Sequence, residues 1–263
     1  MLKETFLEIV NVSFSYGDSL VLKNITLSVE AGEFISLIGP NGSGKTTLLK
    51  IILGLLCPTK GEVFLQGKPV LSYPSKEKAQ RIAYVSQEPL LTFPLTTKEL
   101  VSLGRYPYSS RVKPVEQDRL AIENALRLTD TLSLKDRKFT SMSGGEKQKV
   151  LVARALAQSS CLLLLDEPKA HLDIFFKLEI LKTLKELCKE KKLTVVTVSH
   201  DLNLVSLFAD KVTLLKSGQL QAFGKVGEVL NEKSVKETFG VKVVASKDSE
   251  SDVLYFFLRK PRP

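Results

Sequence analysis

The chain has 263 residues, 43% of them apolar, which is enough for one large domain or a core with a subdomain, and its formal net charge is +9. Three cysteines, Cys57, Cys161 and Cys188, are odd in number, widely spaced and without a CxxC pair, so neither a disulfide framework nor a zinc site is indicated. Met1 to Glu8 holds acidic residues and no apolar signal core, and no apolar run approaches the ~18 residues of a membrane span, so a soluble chain is expected, with any membrane role exercised through a partner. The basic balance suits polyanions such as nucleic acid, anionic lipid or ATP, and equally a solvated surface.

Leu7 to Phe14 and Leu22 to Val29 alternate apolar and polar around Tyr16-Gly17-Asp18-Ser19, which predicts antiparallel strands joined by a turn. Tyr16 at that turn has two open readings, a core aromatic or a face for stacking on a purine ring. The buried run Phe34 to Ile38 then leads into Gly39-Pro40-Asn41-Gly42-Ser43-Gly44-Lys45-Thr46, followed by the helical stretch Thr47 to Leu53. A strand, a glycine loop and a helix in that order are what the phosphates of a nucleotide require. Glycines let successive N–H groups turn inward, and the new helix adds about half a positive charge at the same place. Lys45 is then placed to reach the β- and γ-phosphates, and the Thr46 hydroxyl to ligate Mg²⁺.

Turn chemistry at Pro58 to Glu62 and Gln66 to Pro69 brackets a short strand, Val63 to Leu65; Ser75 to Gln80 is helix-compatible, and Arg81 to Ser86 reads as another buried strand ending at Gln87. From Leu90 to about Ser160 the pattern is helical, with a capping box at Thr96 to Glu99 and Leu120, Ala121, Asn124, Ala125 and Leu128 at helical spacing. An inserted helical subdomain is expected there. Ser143-Gly144-Gly145-Glu146 opens a helix running to about Gln158. As a capping box it needs no glycines, and two glycines expose amides at a helix N-terminus, so a plain cap and a second anion site both stand open.

Leu162 to Leu165 followed by Asp166 and Glu167 is a short apolar run closing on two carboxylates, which suits a central parallel strand opening at its C-terminal end toward the phosphate loop. Asp166 is then expected to help hold Mg²⁺, and Glu167 to orient and deprotonate an attacking water. Ile174 to Lys192 is an amphipathic helix carrying Leu178, Leu181, Leu184 and Leu187 on one face. Thr194 to Ser199 is a strand ending at His200, which is either structural or placed to touch a γ-phosphate. Lys211 to Leu215 and Gln219 to Phe223 form a hairpin, two short helices reach about Gly240, and Val241 to Ala245 with Asp252 to Leu258 form a small terminal hairpin before a basic tail.

In this order and at these separations the motifs resemble the ATP-binding subunit of an ABC transporter over essentially the whole chain. The resemblance implies an α/β fold: a P-loop NTPase core with a mostly parallel sheet, an N-terminal antiparallel β subdomain and an inserted α-helical subdomain at about 90–160. It places the ATPase domain at residues 1–240, with a C-terminal hairpin and tail at 241–263. It also implies that Tyr16 stacks on adenine, that Gly39, Pro40, Asn41, Gly42, Ser43, Gly44, Lys45, Thr46 and Thr47 form the Walker A site, and that Gln87 is the Q-loop glutamine near Mg²⁺. Ser143, Gly144, Gly145 and Glu146 are the family signature. Asp166 closes the Walker B strand, Glu167 is the catalytic base, Leu172-Asp173 falls in the D-loop, and His200 is the switch histidine.

The family works as a head-to-tail dimer in which one subunit's signature covers the γ-phosphate held by the other's Walker A loop. A finer resemblance, in Leu95 to Pro107, in the Glu at position 146 and in Gly218 to Gly240, is to importers of ferric siderophores, haem and cobalamin. It implies ATP and Mg²⁺, a homodimer, a multi-span permease, an extracytoplasmic substrate-binding protein, a place on the cytoplasmic face of the membrane, and no nucleic acid. Lys169-Ala170 departs from the usual Thr-Ser or Thr-Asn and puts the D-loop contacts across the dimer in question. The alternatives are the ATPase of an importer for another substrate and a non-transport ABC ATPase acting on DNA or ribosomes; the latter would carry a long coiled coil or two cassettes, and neither is present. A P-loop kinase or GTPase has no use for Ser143 to Glu146, and no guanine-reading Asn-Lys-x-Asp occurs.

Overall fold

Period-two burial builds the first ribbon: β1 (Thr5–Tyr16) runs antiparallel to β2 (Ser19–Glu30), with Leu7 opposite Val29, Ile9 opposite Leu27 and Phe14 opposite Leu22, all buried on one face. On the other edge of β1 lies β4 (Lys60–Leu65), antiparallel, followed by the two-residue β5 (Lys68–Pro69). The computed structural model describes residues 5–87, 94–108, 116–166, 174–248 and 253–259. Two units are distinguished in the chain, Met1–Ser72 with Val196–Pro263, and Tyr73–Val195.

In the first unit β3 (Phe34–Ile38), buried at every residue, feeds α1 (Lys45–Ile52). It pairs in parallel with β9 (Lys211–Lys216), and β9 pairs antiparallel with β10 (Gln219–Lys225). A continuous apolar run suits a strand covered on both faces, as β3 is. Beyond β10 come α8 (Val226–Val229), α9 (Glu232–Phe239) and the antiparallel hairpin of β11 (Val243–Lys247) and β12 (Leu254–Leu258). Val212, Leu214, Val229, Val235 and Phe256 close one core with Val205 of α7 (Leu202–Phe208).

The second unit holds α2 (Ser75–Arg81), β6 (Ile82–Val85), α3 (Thr97–Ser102), α4 (Glu116–Leu128), α5 (Gly144–Ala157), β7 (Leu162–Leu165) and α6 (Ile174–Lys191). β6 and β7 pair in parallel, Tyr84 opposite Leu164. The capping box expected at Thr96 is formed, with the Glu99 amide donating to the Thr96 hydroxyl. The helix expected around Leu120 is α4, but Leu120 and Leu128 are 49% and 36% exposed, and its buried residues are Ala125 and Leu126. β8 (Thr194–Val198) carries the chain from one unit into the other: the Thr194 amide donates to Cys161 and the Ser199 amide to Leu37. Parallel β3–β9 and β6–β7 pairs and the antiparallel N-terminal ribbon make the α/β fold that the resemblance implies, and where a mostly parallel sheet is expected the sheet is mixed, with β10 running antiparallel to β9.

Candidate functional site

Tyr16, the Gly39–Thr46 loop and His200 lie in the first unit; Gln87, Ser143–Glu146 and Asp166 lie in the second. At the end of β3 the chain turns through the loop and enters α1 at Gly44, whose φ is +98° and whose added Cβ would stand 2.6 Å from Leu22 Cδ2. Only glycine closes that turn. No side chain caps α1, so the positive end of its dipole faces the loop uncompensated by an acidic group in its first turn.

Lys45 is 5% exposed and its Nζ donates to the carbonyls of Gly39 (2.9 Å) and Pro40 (3.0 Å), which fixes the ammonium inside the curl of the loop. The Ser43 hydroxyl is buried and has no hydrogen-bond partner among the described residues. A buried hydroxyl left unpaired costs about 1–3 kcal/mol, and a phosphate oxygen entering the loop would supply the partner. Asn41 and Gly42 are exposed at the tip, Pro40 and Thr46 half-buried, and Gly39 and Thr47 buried. Tyr16 is 49% exposed at the end of β1, its ring edge-on to Phe14 at 4.8 Å, so it is a surface aromatic and not core. His200 is exposed after β8, next to Asp201, whose carboxylate caps α7 by accepting from the Asn203 and Leu204 amides.

In the second unit Gln87 is exposed just beyond β6. Asp166, 3% exposed, ends β7; its amide donates to Val85 and its carboxylate accepts the Tyr84 hydroxyl at 3.1 Å. Burial, and then the Asp166 charge, push the Tyr84 phenol well above its ordinary range, so it stays a donor to that carboxylate. Glu167, proposed from sequence as the base, lies outside the described residues, as do Lys169, Ala170, Leu172 and Asp173. A buried carboxylate and a threonine hydroxyl are hard oxygen donors of the kind Mg²⁺ takes.

Ser143 forms the capping box: its hydroxyl accepts from the Glu146 amide at 3.3 Å, and the Glu146 carboxylate accepts from the Ser143 amide at 2.8 Å. Arg137 donates to the other Glu146 oxygen at 2.9 Å. The Ser143 amide first, with the Ser143 hydroxyl and Arg137 adding to it, holds the Glu146 carboxyl below the usual range. The cap and an exposed glycine therefore coexist: Gly144 is open to solvent, Gly145 buried. Sequence reasoning missed Tyr84 and Arg137. The one legible signal was Tyr84 itself, the lone hydroxyl in an otherwise apolar strand.

The sequence model of the family described as ABC transporter matches residues 22–170. The chain is 38% identical over 236 residues to the ABC transporter ATP-binding protein YvrA of Bacillus subtilis (strain 168), covering 89% of this chain and 53% of that protein, about half its length. It is 36% identical over 243 residues to the petrobactin import ATP-binding protein FpuD of Bacillus anthracis, covering 92% of this chain and 89% of that one. Among solved structures, a metal-chelate-type ABC transporter in an inward-facing conformation superposes with a TM-score of 0.84 at 28% identity, over 98% of each chain.

Proposed function

The chain belongs to the ABC transporter ATP-binding proteins, a family of ATPases, and on that premise we propose that its ATP hydrolysis powers import of a metal chelate, namely a ferric siderophore, haem or cobalamin, through a membrane permease. The observation that carries the substrate class is the similarity to a petrobactin import protein along 92% of this chain. No helix among the described residues is long and apolar enough to cross a membrane, which leaves the membrane passage to a partner.

In this reading the amides of Gly39, Asn41, Gly42, Ser43 and Gly44 with Lys45 and Thr47 hold the phosphates of ATP, the Pro40 carbonyl keeps the Lys45 ammonium in place, and Tyr16 stacks on adenine. Thr46, Gln87 and Asp166 are the oxygen donors for Mg²⁺, which when bound neutralises charge on the phosphates. Tyr84 steadies the Asp166 carboxylate, Glu167 takes the proton of the attacking water, and His200 contacts the γ-phosphate. Ser143, Gly144, Gly145 and Glu146 serve the nucleotide of a second copy in a homodimer. The subunit works peripherally on the cytoplasmic face, beside a permease supplied by an extracytoplasmic binding protein. Residues 1–240 are the cassette, with its helical insertion at about 90–160, and 241–263 an appended hairpin and tail.

Deleting the gene tests the substrate class. Uptake of one iron chelate, haem or a corrinoid should fall while sugar and amino-acid uptake stays intact; loss of sugar or peptide uptake instead would overturn it.

A further inference from the structure

Gly144 and Gly145 are neighbours with opposite surroundings. A Cβ on exposed Gly144 would find nothing within 4 Å among the described residues, whereas one on buried Gly145 would lie 2.7 Å from Cδ2 of Phe176 and 3.1 Å from its Cε2 and Cγ. Phe176 stands in the first turn of α6. One turn further along α5, the Lys149 ammonium sits 4.9 Å from the centre of the same ring, with its side chain 7% exposed. One turn further along α6, Glu179 holds that ammonium at 2.7 Å, with Asp130 at 3.6 Å on the other side. The ring is therefore clasped between a glycine backbone and a buried cation, and the cation is itself anchored. Two contacts spaced a turn apart on each helix fix rotation as well as separation.

We propose that Phe176 is a positioning residue of the ATPase: it seats Gly145, and through it the amides at the N-terminus of α5, and position 145 is glycine because of this ring in its own subunit. The inference rests on the signature reading of Ser143–Glu146. α6 follows Asp166 and Glu167 in the chain, so Phe176 ties the helix that comes after the proposed base to the helix bearing the signature. Gly144, with no described residue of its own subunit within reach of a Cβ, is left to whatever lies against it from outside.

The test is a double-mutant cycle on the full-length subunit, with Gly145→Ala, Phe176→Leu and both together, reading kcat, ATP affinity without hydrolysis, and chemical unfolding. Gly145→Ala overpacks the ring and should lower kcat about tenfold with ATP affinity nearly unchanged, and Phe176→Leu in that background should recover most of the loss. Independent losses that simply multiply in kcat would overturn the proposal, and so would coupling seen in unfolding and absent from kcat. Gly144→Ala separates this from the premise: its kcat should fall whatever residue is at 176. A Gly144→Ala protein with full kcat would sink the signature reading itself.

Discussion

Arg105 is the side chain on which the helical part of the second unit turns, and replacing it by alanine should destabilise the protein by about 3 kcal/mol. Its Nε donates to Asp118 at 2.7 Å, and Nη1 donates to the Ala157 carbonyl at 2.8 Å and to Ser159 Oγ at 3.1 Å. The guanidinium also lies 3.9 Å over the centre of the Tyr108 ring. Arg105 and Asp118 are 12% and 14% exposed, so solvent screens the pair little. A hydrogen bond to a charged partner contributes about 1.5–3 kcal/mol and a ring face about 1 kcal/mol. The contacts share one side chain and do not add fully, which brings the sum back to about 3 kcal/mol. For a chain of this size that is a fall in Tm of roughly 6–12 °C. Arg105→Lys keeps the charge and loses the fork, so about half the loss should remain. Urea denaturation of the three proteins is the assay. An Arg105→Ala loss under about 1 kcal/mol, the range of ordinary surface changes, would refute the reasoning.

Three further outcomes follow from the site. Lys45→Ala should abolish measurable ATP binding by calorimetry, because it removes the ammonium held at the centre of the loop; an unchanged affinity would remove the phosphate loop from the account. Tyr84→Phe takes a donor from the buried Asp166 carboxylate and should cost about 2 kcal/mol in urea denaturation, while an unaltered midpoint would show that the 3.1 Å contact contributes nothing. Glu146 has a folded-state carboxyl held below its unfolded value by the Ser143 amide first, so its contribution is present above the unfolded carboxylate range and is lost as pH falls through the folded value. The Tm advantage of the native protein over Glu146→Gln should therefore shrink as pH drops below about 4, and a constant difference would contradict the assignment.

What was legible in the sequence was local. Alternation in Leu7 to Phe14, the glycine loop before α1, and the capping boxes at Thr96 and Ser143 each depend on residues a few positions apart, and each is formed. What was not legible depends on partners far along the chain. Nothing local in the sequence singles out Arg105, because Asp118 and Ala157 reach it only in the folded helices. Tyr84 meets Asp166 across neighbouring strands, and Phe176 meets Gly145 across neighbouring helices. In α4 the spacing marked Leu120, Ala121, Asn124, Ala125 and Leu128, of which Ala125 is buried while Leu120 and Leu128 are exposed, and it left out the buried Leu126, since periodicity finds an apolar stripe without saying which part of it a neighbour covers. Glu167, the residue on which the chemistry was placed, lies outside the described residues, so its role stands on the motif alone.

Complementation with Glu167→Gln tests most directly that ATP hydrolysis by this chain powers import. In a strain lacking the gene, the native chain should restore uptake of a radiolabelled iron chelate, haem or corrinoid. The variant, purified in parallel, should bind MgATP, turn over about a hundredfold more slowly and leave uptake at the level of the deletion. Uptake restored by the variant, or near-normal hydrolysis in the purified protein, would contradict the account.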